Sequence, residues 1–294
     1  MSDFVQQQNN ICEFATSDSW VILSPIEQSI KKKIEAVGTP LKDWDINIYR
    51  GVLTGCNEAF IIDSKKRDEI LANCQTEDER KRTAELIRPI LRGRDIKRYG
   101  YVDNGLYLIN THNGIRGRIP RINVEDYPAV KAHLDQYWDR IATRADKGDT
   151  PYNLRNCAYL EDFFKPKIMY PNMTKYVPFY FDEIGFYQND KSFMITGANV
   201  AYLTAFFNSS LFKFCFLDNF PELQGGTREL RKIFFDKIPV LKVSDKINRD
   251  FIPLLKDIQC EYTKQKALRI DSMLFDLYDL TAEERNEIGF IEII

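Results

Sequence analysis

The segment at residues 199–216 constrains the fold of this chain most strongly. Residues 200–207 within it form a mainly apolar run that is long enough for about two turns of helix. A helix that is apolar on all sides must be buried in a protein core or in a membrane. The run is far shorter than the roughly 20 residues that a bilayer requires. The sequence therefore predicts a buried helix in a globular protein, with these aromatic side chains in its core: Phe206, Phe207, Phe212 and Phe214.

The composition is also that of a globular protein. Hydrophobic residues make up 44% and charged residues 29% of the 294 residues, which excludes a disordered chain. The N-terminus, residues 1–10, lacks the basic and then apolar pattern of a signal peptide. The six cysteines lie far apart and no pair has CxxC spacing. We therefore expect a cytoplasmic protein with reduced, mostly buried thiols.

Charge is distributed unevenly along a chain whose formal net charge is only −2. Residues 1–79 carry −6, residues 80–175 carry +8 and residues 176–294 carry −4. From Arg80 to Arg121 there are 11 basic residues and only 3 acidic ones, and 9 of the 11 are arginines. A planar guanidinium favours phosphate and base-edge recognition. A solvated helix face near residues 78–88 with ordinary surface arginines would give the same pattern.

Helical and strand-like segments follow one another without a repeat or a low-complexity linker. Helices are predicted at residues 26–37, 76–87, 127–146, 199–216 and 227–233, and helical periodicity dominates residues 247–291, with a start signal at 281–284. Strands are predicted at residues 46–53, 59–62, 91–101, 107–110, 167–170, 179–181, 192–195 and 238–240. The predicted fold class is α+β. Residues 1–240 form a mixed β-sheet domain, and residues 241–294 form a helical C-terminal segment that packs on it or on a partner domain.

Motifs for catalysis are missing from the sequence. It has no GxGxxG, P-loop or GxSxG motif, and its two histidines, His112 and His133, leave little choice of general base. Asp95-Ile96-Lys97 has the D-x-K spacing of metal nucleases but no upstream acidic partner. We therefore expect Asp95 to be structural or salt-bridged, and we assign no catalytic residue and no metal ligand.

An ordered set of short stretches is recognisable along nearly the whole chain. It comprises residues 34–44 leading into 51–63, the run I-R-P-I-L-R-G-R-D-I-K-R-Y at 87–99, the helix at 127–146 with Lys147-Gly148, K-P-K-I-M-Y at 165–170, F-F-N-S at 206–209, Gly225-Gly226 through Pro239, and residues 270–284. Together these stretches resemble the TaqI-like C-terminal specificity domain of adenine-specific DNA methyltransferases and type IIG restriction-modification enzymes.

This resemblance implies a target-recognition domain for a restriction-modification system. Such a domain holds duplex DNA against a methyltransferase domain, which flips an adenine and carries an N-P-P-Y motif and a S-adenosylmethionine site. No Asn is followed by Pro in this chain. We therefore expect no cofactor and no enzymatic activity in this chain alone. The implied partners are double-stranded DNA and a methyltransferase domain or subunit that binds S-adenosylmethionine, with no membrane involved.

DNA recognition requires cations for phosphates and forked or amide side chains for base edges. We expect phosphate contacts from Arg88, Arg92, Arg94, Lys97 and Arg98, with Arg92 and Arg94 on one face of a strand. Phosphate or base contacts are expected from Arg116, Arg118 and Arg121, and an adenine contact from Asn113. A polar and aromatic loop offers Asn172, Thr174, Lys175 and Tyr176. Thr227 and Arg228, after two glycines, could meet a phosphate at a helix start.

Two other functions remain open from the sequence. The chain could be a protein-interaction module, with its helical tail docking a methyltransferase and its basic face serving only structure. It could also be part of a complete methyltransferase or nuclease, if the native chain were longer. Binding to duplex DNA separates the interaction module from the DNA-recognition domain.

Overall fold

The structure is a computed structural model that describes residues 23–292, and it is α+β, as predicted. Residues 1–10 and Cys12, on which the expectations about a signal peptide and one thiol rest, lie outside the described residues. The helices are α1 Pro25–Val37, α2 Asn57–Phe60, α3 Ser64–Ala72, α4 Glu77–Leu86, α5 Pro128–Asp135, α6 Trp138–Thr143, α7 Val200–Asn208, α8 Ser210–Phe216, α9 Lys232–Phe235, α10 Asp245–Cys260, α11 Lys264–Leu277 and α12 Ala282–Ile288.

The strands form several small sheets. They are β1 Gly38–Pro40, β2 Ile46–Arg50, β3 Ile61–Asp63, β4 Ile87–Leu91, β5 Ile96–Lys97, β6 Gly100–Tyr101, β7 Leu106–Ile109, β8 Lys167–Pro171, β9 Met173–Thr174, β10 Tyr180–Asp182, β11 Tyr187–Gln188, β12 Ser192–Gly197, β13 Glu222–Leu223, β14 Thr227–Glu229 and β15 Pro239–Leu241. One four-stranded sheet, in the order β10-β8-β12-β2, is antiparallel throughout. The other, β11-β4-β7-β3, contains one parallel pair, β11 with β4. The smaller sheets are β13-β14-β9, β1-β15 and β5-β6.

The larger hydrophobic core surrounds α7, whose 9 residues are all buried. The single predicted helix at 199–216 is wrong, because Ser209 is extended and its hydroxyl accepts from the Phe212 N–H, which starts α8. Phe206, Phe207 and Phe212 lie in this core as predicted, whereas Phe214 is only partly buried. Within residues 23–292 no single helix could span a membrane; only Val200–Asn208 and Ser210–Asn219 taken together, bent by 69°, match by length and composition.

The C-terminal helices complete the same core. Phe251 and Leu255 of α10 and Ile270 of α11 are buried in it together with the side chains of α7. The predicted helix start at 281–284 is confirmed, since Thr281 and Glu284 form a capping box at α12. The division of the chain at residue 240 stays a prediction.

A second core lies between the β11-β4-β7-β3 sheet and the helices α2 and α5. Arg144 is buried at its edge over the Phe60 ring, and its guanidinium donates to four backbone carbonyls, among them those of Pro151 and Asn153. Burial lowers the pKa of Arg144 to about 10, so the group stays charged at neutral pH. This one side chain therefore fixes the loop that follows α6.

His133 on α5 gives the second core a pH dependence. The ring lies 2.9 Å from the Ala59 carbonyl oxygen through Nε2, and burial lowers its pKa below the ordinary value. The unfolded chain therefore binds a proton more readily, and stability is lost as the pH falls below about 6.5. We expect His133→Gln to reduce the loss of urea midpoint between pH 7.5 and pH 5. An unchanged loss would contradict this assignment. His112→Gln is the variant for comparison, because burial lowers the pKa of His112 as well.

Several predicted elements are corrected by the structure. Residues 91–101 are not a strand, because Gly93–Asp95 form a 3-10 turn between β4 and the two-residue strand β5. Residues 57–60 are helical, so the second predicted strand is only Ile61–Asp63. The helix predicted at 127–146 is two helices, broken at Gln136 and Tyr137, where the Tyr137 N–H bonds to the Leu134 carbonyl.

The thiols also differ from expectation. The cysteines in the part of the chain that the structure describes are free, as predicted. Only Cys56 is buried, Cys74, Cys157 and Cys215 are intermediate, and Cys260 is exposed. The expectation of mostly buried thiols is therefore wrong for these five positions.

Candidate nucleic-acid interface

A hollow of about 600 Å³ lies where the turn after β4 meets the segment after β8. We call it the tyrosine hollow, and its lining is Gly93, Arg94, Ile96, Lys97, Arg98, Pro171, Met173, Thr174, Tyr176, Pro178 and Tyr262. The structure thus brings together predicted DNA-binding residues from two distant stretches, 94–98 and 174–176. Arg94 and Lys97 are exposed at its edge, and the rings of Tyr176 and Tyr262 are exposed as well.

The prediction that Arg92 and Arg94 lie on one face of a strand is wrong. The 3-10 turn at Gly93–Asp95 directs Arg92 to Asp95, whose oxygens accept from Arg92 Nε at 2.9 Å and Nη2 at 3.0 Å. Asp95 is buried and also accepts from the Arg92 N–H, so the prediction that it is salt-bridged is confirmed. Arg94 projects to solvent, and among residues 23–292 it has no ion-pair partner. Arg92 therefore shapes the turn, and Arg94 is the side chain available to an outside anion.

Arg98 joins the tyrosine hollow to the core. Its Nε and Nη2 donate to the carbonyl of Asn208, the last residue of α7, at 3.2 and 2.8 Å. Its Nη1 donates to the Tyr262 hydroxyl and to the Ile291 carbonyl. A cation at a helix C-terminus also interacts favourably with the helix dipole. These internal bonds make Arg98 a structural residue in addition to lining the hollow.

The loop of the tyrosine hollow is held from beneath by two buried side chains. Asn208 bonds both the N–H and the carbonyl of Phe179, at 3.1 and 2.8 Å. The Lys213 ammonium donates to the carbonyl of Val177, which has a positive φ of 46°. Burial, with Arg98 nearby, lowers the pKa of Lys213 well below its usual range. The chain directly after Tyr176 is therefore fixed to the core at Val177 and Phe179.

The three-stranded sheet β13-β14-β9 carries the remaining predicted residues of this region. Thr174 lies directly opposite Arg228, and Thr227 lies opposite Leu223. The predicted helix at 227–233 is wrong at its start, because β14 pairs with a strand on either side and α9 begins only at Lys232. Thr227 and Arg228 therefore do not lie at a helix N-terminus, and a phosphate contact of that kind is not available to them.

Arg228 has internal partners. Its guanidinium donates to the carbonyls of Leu217 and Phe220 at 3.1 and 2.7 Å, and it pairs with Asp218 and Glu222. The side chain is only 13% exposed. Arg228 thus fastens the small sheet to the segment after α8, and its expected contact with DNA stays a prediction.

A second hollow, of about 800 Å³, is formed by the loop between β7 and α5. We call it the arginine hollow; it is lined by residues 113–121, Asp149, Asn156, Cys157 and Ala158. Ile115 and Ile119 bond each other across a tight turn, and Gly117 at its tip has a φ of +77°. The turn presents Arg116 and Arg118 to solvent. Arg121 completes the predicted set of arginines at this hollow.

Ion pairs and an amide network define the walls of the arginine hollow. Arg118 pairs with Glu161 and Arg121 with Asp149, all of them exposed, so these pairs are weak and replaceable by a phosphate. Asn113 donates to Asp149 and Asn156, and its oxygen accepts from the Asp149 N–H at 2.8 Å. Its amide is thus engaged internally, and the expected adenine contact stays a prediction.

The two hollows are linked by residues that the sequence did not single out. The Tyr159 hydroxyl, two residues from Cys157 of the arginine hollow, donates to the Arg50 carbonyl at 2.9 Å. Arg50 Nε donates to the Asp190 carbonyl, and the next carbonyl, that of Lys191, accepts from Asn172 beside the tyrosine hollow. Arg50 and Lys191 are exposed cations on this link. They come together only through the β2–β12 pairing, so no local sequence signal reveals them.

The side chains that line the two hollows differ from those of a metal centre. Among the residues described, no three His, Cys, Asp or Glu side chains are grouped so that they could hold a metal ion. The buried carboxylates Asp95, Asp182, Asp271 and Glu284 each have internal partners. The exposed groups of both hollows are instead mainly cations, amides and aromatic rings, which suit an anion with flat apolar surfaces.

Two solved structures resemble this chain in fold. The crystal structure of the type IIG restriction endonuclease BpuSI has a TM-score of 0.53 over 87% of this chain and 34% of that chain, at 14% sequence identity. The type IIL restriction-modification enzyme MmeI, solved in complex with DNA, has a TM-score of 0.57 over 83% of this chain and 34% of that one, at 10% identity. The chain thus spans about a third of the length of either enzyme chain. A search of curated proteins finds no match.

The fold is therefore one that type IIG and type IIL restriction-modification enzymes contain. The TaqI-like C-terminal specificity domain family matches residues 88–240, which is just over half of the chain. The chain belongs to this family, as its sequence resemblance had indicated. The matched region includes the whole arginine hollow and all of the tyrosine hollow except Tyr262.

Proposed function

We propose that this chain recognises a specific sequence of duplex DNA as the specificity domain of a restriction-modification system. The observation that carries the proposal is that both cationic hollows lie within the region matched by the specificity-domain family. In each hollow, exposed cations stand beside side chains that can contact bases. Phosphate contacts would fix the position of the duplex, and the loops of the hollows would read base edges.

The catalytic step belongs, in this proposal, to a methyltransferase domain or subunit outside the chain. The chain covers 34% of BpuSI and of MmeI, which leaves most of each enzyme without a counterpart here. S-adenosylmethionine would bind that catalytic part. The role of this chain is to hold the duplex in register while the partner acts on an adenine.

Binding of random-sequence duplex DNA at several salt concentrations tests the proposal. Three exposed cations at the hollows, Arg94, Lys97 and Arg116, and the exposed Lys175 beside the tyrosine hollow have no ion-pair partner within residues 23–292. If each neutralises a phosphate, the logarithm of the affinity falls with the logarithm of salt with a slope of about −3.6 or steeper. Fluorescence anisotropy measures this slope. A chain that binds no duplex at low salt, or binds with a slope near zero, would favour the interaction-module alternative.

A further inference from the structure

The tip of the β13-β14 hairpin projects into open space. It consists of Gly225-Gly226, with φ of +80° and +74°, and a Cβ placed on Gly225 would meet no atom within 4 Å. Both glycines adopt a conformation that other residues rarely accept, and the surrounding space is open. The major groove of B-DNA, which is about 12 Å wide, admits a two-stranded antiparallel ribbon, and β13 and β14 form such a pair at this tip, with β9 beside β14.

The two faces of the β13-β14-β9 sheet carry different side chains. Arg228 points to one face, where it bonds the carbonyls of Leu217 and Phe220, so that face is covered at Arg228. The opposite face carries Leu223, across from Thr227, and Met173, across from Glu229, because directly paired residues point to the same side. We call it the outer face, because Met173 and Leu223 on it are exposed, whereas Thr227 is partly buried and the Glu229 side chain is only 19% exposed.

Two apolar side chains are exposed on the outer face. Met173 is 55% exposed and Leu223 is 38% exposed, although both are large and hydrophobic. Met173 also lines the tyrosine hollow. An unbranched thioether adapts to irregular apolar surfaces, which suits a side chain that completes its packing only against a ligand.

The charges around this face favour an anionic occupant. Glu229, the acidic residue on the face, is neutralised by Arg231 Nε at 2.8 Å. Lys175 lies beside the glycine tip, since its Cε would be 3.8 Å from a Cβ on Gly226. Arg94 and Lys97 border the hollow that Met173 lines. A ligand that contacts both the cations and the exposed apolar side chains must carry phosphates close to apolar atoms.

We infer that the outer face of the β13-β14-β9 sheet reads thymine in the major groove, with Met173 and Leu223 contacting the thymine C5-methyl group. The C5-methyl is the apolar group that distinguishes thymine at the major-groove edge. Met173 and Leu223 are then specificity-determining residues, while Arg94, Lys97 and Lys175 hold the adjacent phosphates. The inference rests on the proposed function, since it names the base feature that the proposed DNA site recognises.

Replacing thymine by deoxyuracil tests the inference, because this change removes the methyl group and keeps the base-pairing edge. A duplex is first selected from a random-sequence library with the full chain. It is then synthesised in two forms, with thymine and with deoxyuracil throughout. We expect about fourfold weaker binding of the deoxyuracil form for each contacted thymine, the loss corresponding to about 0.8 kcal/mol for one buried methyl group.

The side chains are tested with Met173→Ala and Leu223→Ala. Both should bind the thymine duplex more weakly and lose the discrimination between thymine and deoxyuracil. Ile184→Ala is the matched control, because Ile184 is 60% exposed and lies on the turn after β10, away from both hollows. It should leave affinity and discrimination unchanged. Unchanged urea midpoints for all three variants show that folding is intact.

The outcomes separate this inference from the proposed function. Salt-dependent duplex binding with equal affinity for both forms, or full discrimination retained in Met173→Ala and Leu223→Ala, overturns the methyl contact and leaves DNA recognition standing. A selected site without thymine has the same consequence. A chain that binds no duplex overturns both. Discrimination that is lost in the two variants and kept in Ile184→Ala supports the inference.

Discussion

Asp182→Asn is expected to lower the free energy of unfolding by about 3 to 5 kcal/mol, the range measured when one partner of a buried ion pair is removed. Asp182 on β10 pairs with Lys167 on β8, directly opposite in the sheet, and both side chains are fully buried. The carboxylate also accepts from the N–H groups of Ile184 and Phe186, each at 3.0 Å. The neutral amide would leave the ammonium uncompensated and set an NH₂ group against a backbone donor.

Urea unfolding measures this loss, and two further variants interpret it. Lys167→Met combined with Asp182→Leu should recover only part of the stability. The apolar replacement leaves no buried charge, but the N–H groups of Ile184 and Phe186 lose their acceptor. The control is Asp250→Asn, which removes an exposed partner of Lys246 at 3.8 Å and should cost less than about 1 kcal/mol. If Asp182→Asn is as mild as Asp250→Asn, the pair does not stabilise the fold in the way that its burial indicates.

The sequence predicted the elements whose signal is local. The helix start at Thr281 and the apolar helix around Phe206 were recognisable because each depends on residues within a few positions. Pairing between distant strands overruled local propensity elsewhere. Thr227 to Glu229 looked helical, yet β14 gains hydrogen bonds from strands on both sides. The same limit applies to Lys167, whose partner Asp182 no local pattern identifies.

The site divides in the same way. The arginine-rich composition of residues 80–121 predicted which segments carry exposed cations, and Arg94, Lys97, Arg116 and Arg118 are exposed at hollows. Composition could not show which arginines have internal partners, because those partners are distant in sequence. The Asn208 carbonyl engages Arg98 across 110 positions. Nor could it assign Met173 to a solvent-facing sheet surface, since that depends on the register of β9 against β14.

Charge removal at the two hollows is expected to have the largest effect on DNA binding. Arg94→Ala with Lys97→Ala empties the edge of the tyrosine hollow, and Arg116→Ala with Arg118→Ala empties the turn of the arginine hollow. Each pair should make the salt slope shallower by about 1.8, which at about 0.1 M salt corresponds to a roughly 60-fold loss of affinity. The matched control is Lys246→Ala with Arg249→Ala, which removes two exposed cations on α10. It should change the salt slope and the affinity only by the small amount that follows from the lower net charge of the protein.

The quadruple variant decides whether one duplex occupies both hollows. Distant contacts to the same ligand add in free energy, so the slope should change by about 3.6 and the affinity should fall by three to four orders of magnitude. The contact chain through Tyr159, Arg50 and Lys191 supports a continuous surface between the hollows. If one pair of substitutions alone abolishes the salt dependence of binding, and the other pair has no effect, the duplex contacts a single hollow.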